Sequence, residues 1–342
     1  MSAAIRAEGL TKHYPPPGRR RRANGELVVA VRGVSFDVEA GEIFGLLGPN
    51  GAGKTTTLLM LCTLLAPTSG SAAVAGRDVV REAAEVRRSI GYVAQEIAVD
   101  DLLTGRENLL LQGRLFHMEP GALRKRVEEL LVLFDLTARA DDRVATYSGG
   151  MRKRIDLAAG LVHRPPLLIL DEPTLGLDLQ TRQAIWDYIR RLRGAGHTIL
   201  LTTHYMEEAD QLCDRVAIMD RGAVKALGPP GKLKADLGGD LVRVRLSPPE
   251  ARPRFEEALE GSLPGATVAA AGDFLHIGTA DGERAVGAVV EAARRAGAEV
   301  ESLTVKRPTL DDVFLHHTGR EMRDAGAEEF LRMREGLRRA RG

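Results

Sequence analysis

A glycine-rich stretch near residue 50 carries the strongest chemical signal in the sequence. Gly48-Pro49-Asn50-Gly51-Ala52-Gly53-Lys54-Thr55 fits the pattern GxxxxGK followed by Ser or Thr, and it lies between the apolar run Ile43–Leu47 and a predicted helix that starts near Lys54. Glycines let successive backbone N–H groups converge on phosphate oxygens, and the helix N-terminus adds partial positive charge. Lys54 would bridge the terminal phosphates and the Thr55 hydroxyl would ligate Mg²⁺. The stretch therefore predicts a nucleoside triphosphate site.

Two adjacent acids complete a possible hydrolytic site. Asp171 and Glu172 follow the apolar run Leu167–Leu170, which predicts a buried strand, and ligands of open α/β sheets bind at such strand ends. Asp171 suits Mg²⁺, through its water, and Glu172 suits polarising an attacking water molecule. Alone, the pair is equally compatible with two solvated acids, but the phosphate loop favours the catalytic interpretation. These two motifs still fit many NTPases, including kinases, helicases and GTPases.

A third motif narrows the choice. Tyr147-Ser148-Gly149-Gly150-Met151 precedes a predicted helix and resembles the signature motif of ABC ATPases, whose usual form is Leu-Ser-Gly-Gly-Gln. Ser148 can cap that helix, and the glycines allow backbone donors to approach a γ-phosphate. Further elements stand in the order of that family: Gln95, Leu175-Gly176-Leu177-Asp178 and His204. The resemblance runs from about Ile5 to Leu227.

The resemblance implies roles for residues that would otherwise be read as structural. Gln95 would sense the metal and the attacking water, Asp178 would belong to the loop that crosses between two subunits, and His204 would contact the γ-phosphate. Tyr14 stands where the family places an aromatic ring that stacks on adenine, and base stacking needs only a flat π-face. The alternative for Tyr14 is a packing residue of a hairpin.

The resemblance also implies a working dimer. Each ATP would be sandwiched between the phosphate loop of one subunit and the signature of the other, so Lys54 and Ser148 would act in trans. The predicted catalytic residues are Lys54, Gln95, Glu172 and His204. The predicted nucleotide contacts are Tyr14, Gly48, Pro49, Asn50, Gly51, Ala52, Gly53, Lys54, Thr55, Thr56, Ser148, Gly149, Gly150 and Asp178. The predicted metal ligands are Thr55, Gln95 and Asp171, with ATP and Mg²⁺ as the cofactors.

Within the ABC family the chain is similar to the daunorubicin/doxorubicin-resistance type of drug-exporter ATPase. The shared features are Met151 in the signature, the basic residues after it, and the segment Pro308–Leu315 near the C-terminus. This resemblance implies an ATPase that energises export of a drug or other amphipathic small molecule through a separate membrane subunit. Homodimers and heterodimers with a related subunit both remain open.

Other functions stay open at this point. The cargo could instead be a glycan, a lipid, an ion or a peptide, because the substrate contacts would belong to the membrane subunit. A non-transport ABC ATPase acting on nucleic acid or ribosomes is a second alternative, although such proteins usually carry a coiled-coil insertion or duplicated cassettes. Departures from the family pattern are Met151 in place of Gln, Leu175-Gly176 at the crossing loop, and the arginine-rich insertion that follows Tyr14.

The elements that would position these residues can be read from periodicity. Alternation of apolar runs and helical stretches over Ile43–Met219 predicts βαβ units and a mainly parallel sheet covered by helices. Three short β-like runs before it predict an antiparallel subdomain: Ile5–Leu10, Val28–Val31 and Val34–Val38. Two helices are predicted between Gln95 and the signature, Gly105–Phe116 with a capping box at Thr104 and Glu107, and Leu123–Phe134. The helical region Ile97–Phe134 is where the family receives its membrane partner.

The C-terminal part changes character after Gly228-Pro229-Pro230-Gly231. Its pattern predicts βαββαβ, as in ferredoxin-like folds. We expect an ABC nucleotide-binding domain over 1–230, an accessory α+β domain over 231–318 and a charged helical or disordered tail over 319–342. Leu310, Val313 and Phe314 share one helix face, which we expect to be buried against the main domain or a partner subunit.

Composition excludes several classes of protein. Acidic and basic residues nearly cancel, 47 against 48, so no overall field favours nucleic acid or an anionic membrane surface. The apolar stretch Leu58–Ala66 is well short of the roughly 20 residues that span a bilayer, and the first ten residues do not resemble a secretory signal. Cys62 and Cys213 lack CxxC or CxxH partners, which predicts buried free thiols. We expect a cytoplasmic protein held at the membrane by its permease partner.

Overall fold

The structure is a computed structural model that describes residues 3–15, 27–237, 239–271 and 274–318. Contacts divide the described residues into two compact units, one that ends at Leu227 and one that begins at Gly228. Most of the predicted arginine-rich insertion and the whole predicted tail, 319–342, lie outside the described residues.

The residues described in the first unit form ten strands. In chain order they are β1 (Ala3–Tyr14), β2 (Val28–Glu39), β3 (Ile43–Leu47), β4 (Ser69–Val74), β5 (Arg77–Asp78), β6 (Ile90–Val93), β7 (Leu167–Asp171), β8 (Thr198–Thr203), β9 (Arg215–Asp220) and β10 (Ala223–Gly228). They form a four-stranded sheet in the order β2-β1-β4-β5 and a six-stranded sheet in the order β10-β9-β3-β8-β7-β6. The neighbours in the first sheet pair antiparallel, as predicted.

The second and third of the three predicted β runs are not separate strands. Val28–Val31 and Val34–Val38 belong to one strand, β2, which pairs with β1 along its length. Arg32 and Gly33 look like a break in sequence, but Gly33 takes a left-handed φ of 72° that only glycine adopts readily. The chain therefore passes this point with a shift in register and continues as a strand.

The six-stranded sheet is the core of the first unit. β3 pairs in parallel with β8 and β9, and β7 pairs in parallel with β8 and β6. Every residue of β3, β7 and β8 is buried, which explains their continuous apolar sequences, because strands covered on both faces have no solvent-facing positions. The predicted mainly parallel sheet is confirmed.

Seven α-helices accompany these strands in the described part of the first unit: α1 (Lys54–Leu61), α2 (Ala83–Ser89), α3 (Gly105–Leu115), α4 (Pro120–Leu133), α5 (Gly149–Gly160), α6 (Leu179–Gly194) and α7 (Met206–Leu212). The capping box of α3 is present, with Thr104 accepting from the Glu107 amide and Glu107 reaching back to the Thr104 amide. The second predicted helix begins earlier than Leu123, because Glu119 accepts from the Ala122 amide and Pro120 occupies the first turn.

The second unit has the predicted βαββαβ order. Its elements are α8 (Pro230–Ala235), β11 (Asp240–Ser247), α9 (Arg252–Ser262), β12 (Thr267–Ala271), β13 (Phe274–Thr279), α10 (Gly282–Arg295), β14 (Glu299–Lys306) and α11 (Leu310–Thr318). The strands form an antiparallel sheet in the order β12-β13-β11-β14. Apolar residues of the sheet and of α9 and α10 make one core, centred on Val242, Val244, Phe255, Ile277 and Val289.

Two short helices lie at the ends of this unit. Pro230, in the segment where the sequence changes character, begins the helix α8, and proline suits this first-turn position because a backbone N–H there would have no partner within the helix. Leu310, Val313 and Phe314 are buried as predicted, but α11 packs on α8 in the same unit. This face is therefore buried within the chain rather than left for a partner subunit.

The remaining predictions from composition concern buried thiols and membrane spans. Cys62 and Cys213 are free and buried, and burial raises the pKa of both thiols. None of the described helices combines the length and the apolar content needed to cross a bilayer.

Candidate active site

Four neighbouring strands of the central sheet end at the same edge, and each end carries predicted site residues. In the sheet order β3-β8-β7-β6, these ends lead to the phosphate loop, His204, the acid pair and Gln95, respectively. Parallel strands present their carboxyl ends at one edge. The sheet order thus gathers groups that lie up to 156 positions apart in the sequence, from Gly48 to His204.

The phosphate loop has the backbone that its glycines predict. Gly51 and Gly53 have left-handed φ angles of 78° and 98°, and Gly53 stands immediately before α1. A Cβ on Gly48 would lie 2.2 Å from the Met219 carbonyl oxygen, so only glycine fits there. The chain from Gly48 to Thr55 therefore forms a concave loop that opens onto a helix N-terminus, which is a favourable place for phosphate.

Lys54 is buried inside this loop. Its Nζ donates to the carbonyl oxygens of Gly48, at 2.7 Å, and Pro49, at 3.2 Å, and lies 3.2 Å from Glu172 Oε1. Only 4% of the side chain is exposed. Burial lowers the pKa of Lys54, and Glu172 opposes that shift. The ammonium group is therefore held by its own loop and by the second acid of the pair.

Asp171 and Glu172 have different surroundings. Asp171 Oδ1 accepts hydrogen bonds from Thr55 Oγ1 at 3.2 Å and Thr202 Oγ1 at 2.5 Å. Glu172 Oε2 lies 3.1 Å from His204 Nδ1, and the Glu172 amide donates to Thr202 Oγ1 at 2.9 Å. Glu172 has a φ of 46°, an uncommon value for a non-glycine residue that is often found at functional sites.

The electrostatics separate the two acids further. Burial raises the pKa of Asp171 despite its two threonine donors. Burial also tends to raise the pKa of Glu172, but His204 and Lys54 together outweigh it and hold that pKa below its usual value. Glu172 is therefore a carboxylate at neutral pH, able to accept a hydrogen bond from water.

The oxygen groups at this edge fit a shared magnesium ion. Among the described residues, no group of three or more His, Cys, Asp and Glu could hold a metal by itself. The Thr55 hydroxyl and the Asp171 carboxylate are 3.2 Å apart, and Mg²⁺ commonly takes one or two protein oxygens together with substrate phosphates and water. The donor set suits a metal that arrives with a nucleotide.

Gln95 and Tyr14 lie at the margins of this cluster. Gln95 is exposed and follows β6 by two residues. Tyr14 is the last residue of β1 and pairs with Val28 of β2. Ala30 lies two residues after Val28, and its carbonyl oxygen would be only 2.6 Å from a Cβ on Gly53 of the phosphate loop. Strand pairing therefore brings Tyr14 towards the phosphate loop, while its contact with adenine stays a prediction.

The signature residues Ser148 and Gly149 and the crossing-loop residue Asp178 are exposed, and the two motifs lie close to each other. Ser148 caps α5 by accepting from the Met151 amide at 3.3 Å. Asp178 caps α6 by accepting from the Thr181 amide at 3.0 Å and the Thr181 hydroxyl at 2.7 Å. A Cβ on Gly150 would lie 2.6 Å from Thr181 Cγ2. No hydrogen bond or ion pair among the described residues joins these caps to Lys54, Asp171 or Glu172.

The close approach of Gly150 to Thr181 makes a testable prediction. Gly150→Ala should lower the free energy of unfolding by about 1–3 kcal/mol, because Thr181 is held by Asp178 and cannot move freely away. Gly149→Ala is the matched control, since a Cβ there meets nothing within 4 Å. Chemical denaturation of the full chain checks both. Equal stability of the two variants would contradict the packing described here.

Sequence reasoning missed two residues that organise the site. The Thr202 hydroxyl donates to the Asp171 carboxylate and accepts from the Glu172 amide, and its signal was a polar residue directly after the apolar residues of β8. Glu208 is fully buried and accepts from Thr174 Oγ1 at 2.8 Å and from Trp186 Nε1 at 2.9 Å. It thereby ties the chain after Glu172 to α6 and α7, which no local pattern reveals.

Comparisons with known proteins show which family this chain resembles over most of its length. The model of the ABC transporter family matches residues 31–175, and a model described as the C-terminal domain of DrrA1-3-like ATP-binding proteins matches residues 228–318. The chain is 47% identical to the daunorubicin resistance ATP-binding protein DrrA3 of Streptomyces coeruleorubidus, covering 94% of this chain and 97% of that protein. It is 42% identical to the Nod factor export ATP-binding protein I of Paraburkholderia xenovorans, covering 89% and 96%.

Solved structures show the same fold. The dimeric ATP-binding cassette MJ0796, in a post-hydrolysis state bound to ADP and Pi, is 28% identical, with a TM-score of 0.58 over 66% of this chain and 98% of that one. The match covers about the length of the first unit.

Proposed function

This chain belongs to the ABC transporter family of ATP-binding proteins, and we propose that it powers export of a drug or other amphipathic small molecule through a separate membrane subunit. It is an ATPase subunit that binds ATP and hydrolyses it. The observation that carries the proposal is the cluster of Lys54, Glu172 and His204 at one sheet edge, within a chain closely similar to a daunorubicin resistance protein.

The proposed hydrolysis uses the acids in different roles. Thr55 and Asp171 would hold Mg²⁺ together with ATP phosphates, and the ion would neutralise charge on those phosphates. Gln95 would contact the metal and the attacking water. Glu172 would accept a hydrogen bond from that water, while His204 orients the carboxylate through Oε2 and contacts the γ-phosphate.

Nucleotide binding would rearrange the contacts of Lys54. In the structure its ammonium donates to the carbonyl oxygens of Gly48 and Pro49 and pairs with the carboxylate of Glu172. Phosphate oxygens carry more negative charge than carbonyl oxygens, so we expect Lys54 to exchange these partners for phosphate. That exchange would release Glu172 Oε1 for the attacking water.

We further propose that two such chains close face to face around ATP. Ser148, Gly149 and Asp178 are exposed. Their exposure supports a contact between these residues and the nucleotide of a partner subunit. Hydrolysis and product release would reopen the dimer, so the energy of ATP appears as a shift between closed and open populations. Homodimers and heterodimers both fit this scheme.

The proposed division of labour follows the chain. Residues 1–230 would form the nucleotide-binding domain and 231–318 an accessory domain, with 319–342 as a tail. The region Ile97–Phe134 would receive the membrane subunit on the cytoplasmic face, and its exposed side chains include Leu102 and Leu115, which are 75% and 65% exposed.

The cargo is tested by ATPase stimulation in lipid vesicles that contain the chain and its candidate membrane subunit. We expect amphipathic drugs such as daunorubicin to stimulate hydrolysis, and a hydrophilic sugar to have no effect. Stimulation by a glycan, lipid, ion or peptide alone would replace the proposed cargo, and similarity to the Nod factor export protein makes a Nod factor the second candidate. Stimulation only by nucleic acid or ribosomes would contradict the transport function.

A further inference from the structure

Two buried charged residues connect the signature helix to the loop that carries Gln95. Lys153 and Asp156 lie one turn apart on α5, and each is 5% exposed. Lys153 Nζ donates to the Ala94 carbonyl oxygen at 3.2 Å. Asp156 Oδ1 accepts from the Ala98 amide at 3.2 Å. These two backbone groups flank Gln95 on either side, so the pair holds both ends of the loop.

The chemistry of Lys153 and Asp156 indicates that the pair positions the Gln95 loop rather than stabilises the fold. Lys153 Nζ lies 3.7 Å from Asp156 Oδ2, and Asp156 Oδ2 has no hydrogen-bond partner. Burial lowers the pKa of Lys153 and raises that of Asp156, as desolvation dictates. A buried ion pair is often no more stabilising than apolar residues of similar size. Its specific contribution is therefore the two directed bonds to the Gln95 loop.

Two more contacts restrain the loop beyond Ala98. Asn108 accepts from the Asp100 amide at 2.8 Å and donates to the Asp100 carbonyl oxygen at 3.0 Å. Arg152, which precedes Lys153 on α5, lies 3.1 Å from Asp101. Gln95 itself is exposed. Its backbone is thus anchored on both sides while its side chain is free to meet a ligand.

We propose that Lys153 and Asp156 are positioning residues that place Gln95 for catalysis. They do not touch the nucleotide. They fix the loop to α5, the helix whose first turn begins at Ser148, so the position of Gln95 follows the position of the signature in the same subunit. The inference rests on the proposed function, because it assigns Gln95 its contact with the metal and the attacking water.

The test is a double-mutant cycle in the full chain. Lys153→Met combined with Asp156→Leu removes both charges and leaves neither one unpaired. We expect ATPase activity to fall about 10- to 100-fold, as when groups that orient metal ligands are removed, with ATP binding in the absence of Mg²⁺ retained. Hydrogen exchange at the amides of residues 95–99 should become faster. In a Gln95→Ala background the same pair of substitutions should change activity by no more than about twofold.

The control pair is Asp187 and Arg190 on α6, which has the same spacing, a distance of 2.9 Å and an exposed position. Replacing both by Ala should leave ATPase activity and loop exchange unchanged. If the Lys153–Asp156 substitutions lower activity equally in wild-type and Gln95→Ala chains, the pair acts through general structure and the inference is wrong. Should the double variant not fold, Asp156→Asn is carried through the same cycle. A wild-type chain without ATPase activity would refute the proposed function instead.

Discussion

Replacing Glu172 by Gln should slow hydrolysis by a factor on the order of 10² to 10⁴ while ATP still binds. The carboxylate is lost, so the side chain at this position can no longer take a proton from water. ATP affinity should be unchanged or higher, because the carboxylate no longer competes with phosphate for Lys54. Phosphate release and equilibrium binding of a fluorescent nucleotide measure the two effects separately.

Glu207→Gln is the matched control for this substitution. Glu207 is an exposed acid on α7, so its amide variant should hydrolyse ATP at the wild-type rate. A Glu172→Gln chain that retained more than about a tenth of wild-type activity would mean that another group activates the water, since loss of a general base costs at least about 100-fold.

Mixing two inactive variants should restore activity if the sites are shared between subunits. Lys54→Met removes the phosphate contact of one site. Gly149→Leu adds a side chain whose Cβ would meet nothing in its own chain within 4 Å, and we expect it to fill the space where the partner's phosphate would lie. Each variant alone should be inactive. A mixed dimer keeps one intact site, so an equal mixture should recover roughly a quarter of wild-type activity when subunits pair at random.

A mixture that stays inactive would contradict shared sites. If each site lay within one subunit, no combination of the two variants would hydrolyse ATP, and the mixture would stay inactive. Gly194→Leu serves as the control, because Gly194 is an exposed glycine of α6 whose added Cβ also meets nothing within 4 Å. That variant should be fully active alone, which would show that a leucine at an open helical position is tolerated.

The sequence predicted the parts of the site that depend on local patterns. Continuous apolar runs identified β3, β7 and β8, because strands buried on both faces have no alternation. Helix caps are also local, because each capping side chain bonds a backbone amide three residues later, as at Thr104, Ser148 and Asp178. The conformation of the phosphate loop likewise depends on its own glycines. No local pattern indicates a role for Gln95 or His204, so their roles were predicted from the order of the motifs in the ABC family.

What the sequence could not predict depends on contacts between distant segments. Thr202 and Asp171 lie on neighbouring strands, β8 and β7, and pair side by side. Only this pairing lets the Thr202 hydroxyl donate to the Asp171 carboxylate and accept from the Glu172 amide. The bonds of Lys153 and Asp156 to the Gln95 loop cross 59 and 58 positions. The burial of α11 against α8 likewise required knowledge that Pro230 starts a helix.

We propose that this chain converts ATP hydrolysis into movement of a drug through a membrane subunit. ATP-dependent accumulation of daunorubicin should be measured in inside-out lipid vesicles that contain the candidate membrane subunit and either the wild-type or the Glu172→Gln chain. We expect accumulation with the wild-type chain and ATP, and none with Glu172→Gln. Hydrolysis by the wild-type chain without accumulation of any amphipathic compound, or accumulation that persists in Glu172→Gln, would contradict this proposal.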